Sequence, residues 1–394
     1  MKLRFLTSGE SHGPALITIL DGMPAGLDIS KDYINQELAR RQKGFGAGPR
    51  MKIEQDTVQI MGGVLEGKSS GAPISMTIQN LDHSKWRGKE ILPFTIPRPG
   101  HADLTGTIKY AYNDMRPALE RASARETAAR VAVGAICKQL LKYFNIIVGG
   151  YVLSIGEITA QIDQIALDKR LKLAENSPVR CPDLDTSKEM EERIRRVMEE
   201  KDTLGGIIEV IVLGVTPGLG SYAQWDQRLE VRLGAAVLSV QAVKGVEIGP
   251  AFKNSQLPGS KVQDPIEIRN EKLTRPSNRA GGIEGGITNG QPVVIRAAMK
   301  PIATTLTPQK TVDIIERTEV PTQYERSDFC PVPRAVPILE AMVAFVLADA
   351  LLDKLGGDNM DEIAERYKQL HKNEINGFKL DGKAHIFWPD EDQG

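Results

Sequence analysis

The chain has 394 residues, 41% of them apolar and 26% charged, enough for one large core or for two or three domains. Fifty Lys and Arg against 51 Asp and Glu leave a net charge of −1, which gives no support for a chain-wide polyanion binder. Cys137, Cys181 and Cys330 are far apart and form no CxxC pair, which disfavours a disulfide scaffold or a zinc ribbon.

In chain order, the start Met1-Lys-Leu-Arg-Phe-Leu-Thr-Ser-Gly9 reaches a glycine turn after too few apolar residues for a signal peptide, and a cytoplasmic protein is expected. A helix is predicted from Ser30 to about Gln42, stopped at Gly44. Strands are predicted over Lys52 to Met61, Pro73 to Gln79, Ile207 to Val215 and Val293 to Met299, where β-branched residues alternate with others. Ser123-Ala-Arg-Glu126 reads as a capping box opening a buried helix rich in small residues, Ala128 to Leu141. Thr186 to Lys201 is charged nearly all round and reads as a solvated helical insertion (186–201). Ala335 to Leu352 is the most apolar window, and Glu340 and Asp349 inside it argue for a buried core helix over a membrane span. Residues 358–394 form a polar C-terminal tail. Strands and helices do not alternate as βαβ units, so the fold class is α+β with antiparallel sheets. No low-complexity linker divides the chain, which is taken as one large domain over 1–394.

Two glycine segments need separate treatment. Gly62-Gly-Val-Leu-Glu-Gly67-Lys68-Ser69 matches the P-loop pattern, but Ser70-Gly-Ala-Pro73 and a strand follow it. A phosphate-binding P-loop needs a helix there, so the segment is a glycine-rich hairpin. The same stretch, Gly62 to Ile74, resembles Gly281 to Val293, and an internally duplicated loop-and-strand unit is expected.

Glycine is frequent, 37 residues, while aromatics are only 5%, a combination that suits tight turns and close backbone approach to a ligand. Of five histidines, His12 in Ser8-Gly-Glu-Ser-His-Gly13 and His101 in Arg98-Pro-Gly-His-Ala-Asp103 sit in glycine-flanked polar turns, where an imidazole can give or take a proton. His371 and His385 are expected to be structural. Arg40, Arg41, Arg50, Arg98, Arg121, Arg125 and Arg326 all stand beside Gly, Pro or Ser turns. Arginine grips phosphate and carboxylate bidentately, so a small polyanion is expected. Interleaved aromatics are missing, which speaks against single-stranded nucleic acid. A non-catalytic protein binding phosphate ligands or RNA remains the alternative to an enzyme.

The blocks Ser8–Gly13, Arg40-Arg-Gln with Arg50-Met-Lys-Ile-Glu54, Arg98–Asp103, Arg121–Arg130, Gly281–Gly286 and Arg326-Ser-Asp together resemble the chorismate synthase family over residues 8 to about 350. The resemblance implies a β-α-β sandwich, a homotetramer and a lyase of the shikimate pathway, supplying aromatic amino acid biosynthesis. It implies an anti-1,4-elimination that converts 5-enolpyruvylshikimate 3-phosphate to chorismate, with reduced FMN not consumed, and no metal, nucleic acid or membrane partner. By the same resemblance His12 is the acid at the leaving phosphate, His101 protonates the flavin, and Asp328 relays the flavin N5 proton. Ser11, Arg41, Arg50, Arg98, Arg125 and Arg326 bind substrate. Arg121, Ala122, Ser123, Gln241, Ala242, Gly285, Lys300, Pro301, Ile302, Ala303, Thr304 and Arg326 bind FMN. Arg41 and Ala47 fall at positions tied to NADPH (NADP). The family often carries an arginine where this chain has Ala47, so an external flavin reductant is expected.

Overall fold

The computed structural model describes residues 3–47, 55–325 and 327–388. The amino-terminal half opens with β1 (Arg4–Ser8), β2 (Ala15–Asp21) and α1 (Lys31–Gln42). Ser30, where the predicted helix begins, caps α1 by accepting the Tyr33 N–H at 3.1 Å. β3 (Val58–Gly62), the short β4 (Val64–Leu65) and β5 (Lys68–Ser69), and β6 (Ile74–Gln79) follow. These strands form an antiparallel sheet in the order β1-β2-β6-β3, with β4 and β5 as a separate hairpin. Alternation sets its faces: Leu16, Leu20, Ile74, Met76 and Ile78 are buried, while Leu6, Ile17, Ile19 and Met61 are exposed on the other side.

α2 (Asp103–Tyr110), α3 (Arg116–Ala122) and α4 (Thr127–Tyr143) connect the halves. The second half contains β7 (Ile147–Ile155), β8 (Ile158–Thr159), α5 (Leu167–Glu175), α6 (Leu184–Glu199), β9 (Gly206–Leu213), α7 (Leu229–Leu238), β10 (Val243–Ile248) and α8 (Ala251–Asn254). A hairpin of β11 (Glu267–Arg269) and β12 (Lys272–Thr274) precedes β13 (Ile283–Glu284), β14 (Ile287–Thr288) and β15 (Val293–Met299). A further hairpin of β16 (Lys310–Asp313) and β17 (Thr318–Pro321) leads to α9 (Val332–Leu355) and α10 (Met360–Lys368). The second sheet is also antiparallel, ordered β10-β15-β9-β7-β8. α4 packs on the first sheet and on α9, and α9 packs on the second sheet. The molecule is α+β, with its apolar helices between two sheets.

The two halves match strand for strand: β1-β2-β6-β3 corresponds to β7-β9-β15-β10. The echoed glycine segments occupy matching positions. Ser69 accepts Gly26 N–H (2.8 Å), donates its N–H to Leu27 O (2.9 Å), and its Oγ reaches Leu27 N (2.9 Å) and Pro24 O (2.5 Å). Thr288 repeats this with Gly218 (2.8 Å), Leu219 (2.9 Å to O and from N) and Thr216 O (2.7 Å). Gly63 (φ 83°) and Gly282 (φ 82°) are left-handed, and a Cβ would lie 2.6 Å from Ile74 Cα and 2.9 Å from Val293 Cα. The P-loop-like segment is thus a β4–β5 hairpin with no helix after it.

Several expectations need correction. The strand predicted from Lys52 starts at Val58; residues 55–57 are not strand, and 52–54 lie outside the described residues. The capping box is not made in the expected form. Ser123 caps a 3-10 turn at Ala124–Glu126, while the Glu126 carboxylate turns away to Thr7 Oγ1 (2.7 Å) and Arg130 Nε (2.9 Å). α6 is not solvated all round: Met190, Ile194 and Val197 are buried beneath a charged outer face, because charges at the intervening positions masked a stripe of helical period. The tail begins as a docked helix, with Met360 and Ile363 of α10 buried against α9.

α9 is long and apolar enough to cross a membrane, yet its most apolar window is wholly buried inside the molecule. Glu340 accepts Arg40 Nη1 (2.7 Å), Lys138 Nζ (2.5 Å) and Gly150 N–H (2.8 Å). Burial alone would raise its pKa, but Arg40 and Lys138 hold it well below the usual carboxylate range. Asp349 accepts Leu3 N–H (2.6 Å) and pairs with Arg232. The acids are therefore crosslinks between elements, which is how buried charges are tolerated.

Candidate active site

Loops from both halves meet at the start of α4. His12 lies in the turn between β1 and β2, which Asn80 holds by donating Nδ2 to Glu10 O (3.1 Å) and Gly13 O (2.8 Å). The His12 Nδ1 atom is 2.7 Å from Glu120 Oε1, and its backbone N–H donates to Glu120 Oε2 at 2.8 Å. Burial would raise Glu120, but hydrogen bonds and charge from His12 bring it below its ordinary value. Next to it, Ser123 Oγ donates to Ser11 Oγ at 3.1 Å.

His101 is backed in the same manner. Its Nδ1 is 2.6 Å from Asp103 Oδ1, and Asp103, at the start of α2, also accepts Arg98 Nε (2.8 Å) and Nη2 (2.9 Å). Burial opposes ionisation of Asp103, yet hydrogen bonds from Arg98 and His101 hold it far below its ordinary value. Arg98 Nη1 reaches Thr304 Oγ1 (3.3 Å), and Lys300 Nζ donates to Gly100 O (3.2 Å), so this loop is tied to the segment after β15.

Arg41 and Arg125 are nearly fully buried and share Asp56. Arg41 also donates Nε to Thr127 Oγ1 (2.9 Å) and Nη2 to Ala124 O (3.1 Å). Burial, with Arg334 and Arg125 nearby, lowers its pKa to about 9 against the pull of Asp56 and Asp328. Arg125 donates Nε to Asn80 Oδ1 at 2.8 Å. Asp328 pairs with Arg334, whose Nε donates to Arg41 O (3.2 Å). Asp328 is thus tied to α9 and, through Arg334, to Arg41.

Among the described residues read as cofactor-binding, all but one form a connected ring. Arg121 Nη2 donates to Thr7 O (2.9 Å), and Thr7 joins Glu126, which accepts Gln241 Nε2 at 3.3 Å. Ala242 follows α7 in a left-handed conformation (φ 68°) and accepts Lys300 N–H at 2.9 Å. Ile302 O accepts Thr203 Oγ1 (2.9 Å), which anchors Pro301 to Thr304. Gly285 is not in this ring. It forms the turn between β13 and β14, which leads into Val293, whereas Lys300 follows the opposite end of β15. The strand alone separates them by about 20 Å. Arg50 and Arg326 lie outside the described residues, and Ala47 ends the described segment that follows α1.

The sequence reading gave no site role to Asp56, Asn80, Glu120, Arg334 or the ring of Trp86, which lies 4.2 Å from the His12 ring, and it read Glu126 only as part of a cap. Asp103 was inside a quoted block without a role. Asp56 and Glu120 carry no local motif; contact with an arginine or histidine distant in sequence identifies them. His371 packs on Phe378, and His385 is an exposed partner of Asp381, both in the C-terminal segment.

The His12–Glu120 and His101–Asp103 pairs have the chemistry to hold and pass a proton, and guanidinium groups with a helix N-terminus have the chemistry to face an anion. The family model for chorismate synthase matches residues 3–352. A chorismate synthase of Desulforudis audaxviator is 50% identical over 380 residues, covering 93% of this chain and 97% of that protein. The chorismate synthase of Aquifex aeolicus is 49% identical, covering 95% and 99%. A crystal structure of chorismate synthase superimposes with a TM-score of 0.80 at 42% identity, covering 96% of this chain and 99% of the other. With the fold and nearly the whole length in agreement, the chain belongs to the chorismate synthase family.

Proposed function

We propose that this lyase removes phosphate from 5-enolpyruvylshikimate 3-phosphate by anti-1,4-elimination, giving chorismate, with reduced FMN regenerated each turnover. The observation that carries the reading is that His12 and His101 each stand against a carboxylate, while Asp56 and Asp103 hold the guanidinium groups of Arg41, Arg125 and Arg98. A substrate with one phosphate and two carboxylates needs such a set of cations. A flavin phosphate and ring fit the cofactor residues on two counts. Arg121 and the α4 start offer donors, and the buried Gln241 Oε1 has no partner among the described residues, leaving an acceptor for a ring N–H.

When bound, reduced FMN supplies electron density as the C–O bond to phosphate breaks and takes up the hydrogen lost from the substrate carbon. His12 gives a proton to the departing phosphate. His101 would hold a proton at the flavin edge, and Asp328 would accept the proton that the flavin must release before the next turnover. Arg41, Arg98 and Arg125, held by Asp56 and Asp103, orient the substrate anions together with Ser11, Arg50 and Arg326. Ser123 orders the loop that meets the cofactor.

The exposed apolar face of the first sheet (Leu6, Ile17, Ile19 and Met61) supports self-association, and a homotetramer is the proposed assembly. Gly285 would then meet a cofactor only from a second copy. The matched halves are read as an internal duplication, and the arrangement as a β-α-β sandwich. We also read the chain as one domain, as cytoplasmic, and as dependent on an external flavin reductant. The test is phosphate release from the substrate with dithionite-reduced FMN. Release that requires both flavin and reductant supports the reading; release without flavin, or none at all, overturns it. His12→Ala is expected to lower turnover by about 10²–10⁴ with substrate binding kept.

A further inference from the structure

Almost every polar atom of His12 is already engaged by the protein. Its backbone N–H goes to Glu120 Oε2 (2.8 Å) and its carbonyl oxygen lies 2.9 Å from His83 Nδ1. Its ring Nδ1 is 2.7 Å from Glu120 Oε1. One ring face is covered by Trp86, at 4.2 Å between centroids and 37° between planes. Trp86 in turn lies under the Arg116 guanidinium, 5.9 Å from its ring centre. Glu120 also holds the preceding residue, because its own carbonyl accepts the Ser11 N–H at 3.2 Å. The Glu120 and His12 side chains are 11% and 15% exposed, so water competes little for these bonds. Only Nε2 meets no hydrogen-bonding partner among the described residues.

We infer that Glu120 is a positioning residue for the elimination: by accepting from the backbone N–H and the ring Nδ1–H of His12 at once, it fixes the neutral tautomer and aim of the imidazole, so that Nε2 is the atom that takes up a proton and, from the imidazolium, gives it to the departing phosphate. The inference rests on the proposed role of His12 as the acid. Its physical basis is the donor count. A carboxylate has two acceptor oxygens and no donor when ionised, so both His12 groups facing it must be N–H donors. The hydrogen bond made by one ring nitrogen decides what the other presents.

An isosteric amide makes the point testable. In Glu120→Gln the single amide oxygen is needed by the backbone N–H of His12, which cannot change its donor character. The amide NH₂ then faces Nδ1, which must become an acceptor, and the neutral ring proton moves to Nε2. Shape and most packing are kept while the tautomer is inverted.

The experiment uses the FMN-bound enzyme labelled with 15N-histidine. Five histidines give a resolvable set, and the His12 signals are those lost in His12→Ala. In the parent, the neutral His12 ring is expected to carry its proton on Nδ1. In Glu120→Gln it is expected on Nε2, with kcat lowered at least about tenfold while KM and FMN affinity change much less, the pattern of an interaction needed only in the transition state. Glu120→Asp, which keeps a carboxylate, should keep the parent tautomer and recover part of the rate. An Nε2–H tautomer in the parent overturns the inference even if no Glu120 variant folds. A Glu120→Gln enzyme with parent kcat, tested where His12→Ala is crippled, overturns the role of Glu120 alone. Full turnover by His12→Ala overturns the reading of His12 itself.

Discussion

Asp56 and Arg125 are 2.6 Å apart, oxygen to Nη1, and the second oxygen of the same buried carboxylate faces Arg41 Nη1 at 3.2 Å. One aspartate from the strand side of the molecule thus holds two arginines that stand on either side of the α4 start. Replacing it leaves two buried cations with too few acceptors.

Asp56→Asn is therefore expected to cost about 3–5 kcal/mol, the usual penalty for breaking a buried ion pair from one side. Urea unfolding would measure it. An unfolding midpoint equal to that of the parent would mean that water reaches these arginines and compensates.

Gly134 on α4 packs directly against Ala341 on α9. A Cβ at Gly134 would overlap the Ala341 Cα and Cβ and come within 2.9 Å of its carbonyl oxygen. Alanine should favour an isolated helix over glycine by about 1 kcal/mol. The clash requires the two core helices to part, an overpacking cost of about 1–3 kcal/mol or more. Gly134→Ala should lower the melting temperature; a rise would show that the interface yields easily.

Asp103 and Glu340 are both held below their ordinary pKa values by cations. Their unfolded values are higher, so the unfolded chain binds protons first as the pH falls. The stability they contribute is complete above the unfolded pKa and is lost as the pH falls through the folded one. Stability should be nearly level from about pH 7 to 5 and decline from about pH 4 downward. Glu340→Gln should be less stable near neutrality, because Arg40 and Lys138 lose their counter-charge, yet show a shallower acid decline. Equal acid slopes in parent and variant would remove Glu340 from this account.

Asp328 and Arg334 form an ion pair, so a purely structural role and a proton-relay role both engage the same carboxylate. Asp328→Asn keeps a hydrogen bond but cannot hold the N5 proton. It should fold, bind FMN and lose at least about tenfold in turnover. Ser123→Ala should do the opposite, costing about 1 kcal/mol in thermal stability and weakening FMN binding more than chemistry. A destabilised Asp328→Asn with parent turnover would assign the relay elsewhere.

Ala47 should leave the purified chain unable to start turnover with NADPH and FMN, whereas chemically reduced FMN should start it at once. NADPH consumption matched to chorismate formation by the chain alone would contradict this.

Elements whose cause is local were legible. The extent of α1, the β4–β5 hairpin and the extent of β15 follow from residues a few positions apart, and the structure reproduces them. The small residues of α4 indicated close helix packing, and Gly134 against Ala341 is that contact. The Glu126 side chain failed the local rule because Arg130, Thr7 and Gln241 offered it stronger partners than the α4 cap did. The stripe of α6 was hidden because its apolar positions are outnumbered by charges, and only packing on the second sheet distinguishes its two faces.

By itself the sequence determined the α+β class, the apolar core helices, and the histidines and arginines proposed to carry the chemistry. Each is a property of residue type and short-range spacing. Only the tertiary structure decided which carboxylate faces which base: Glu120 with His12, Asp103 with His101, Asp56 with Arg41 and Arg125, and Asp328 with Arg334. Glu120 stands 108 positions from His12, and Asp56 stands 69 from Arg125. A surface aspartate and a buried partner of a catalytic base are the same letter in a sequence. They differ in the water that folding removes and the donors it brings within 3 Å, and that difference sets their charge, their orientation and their use.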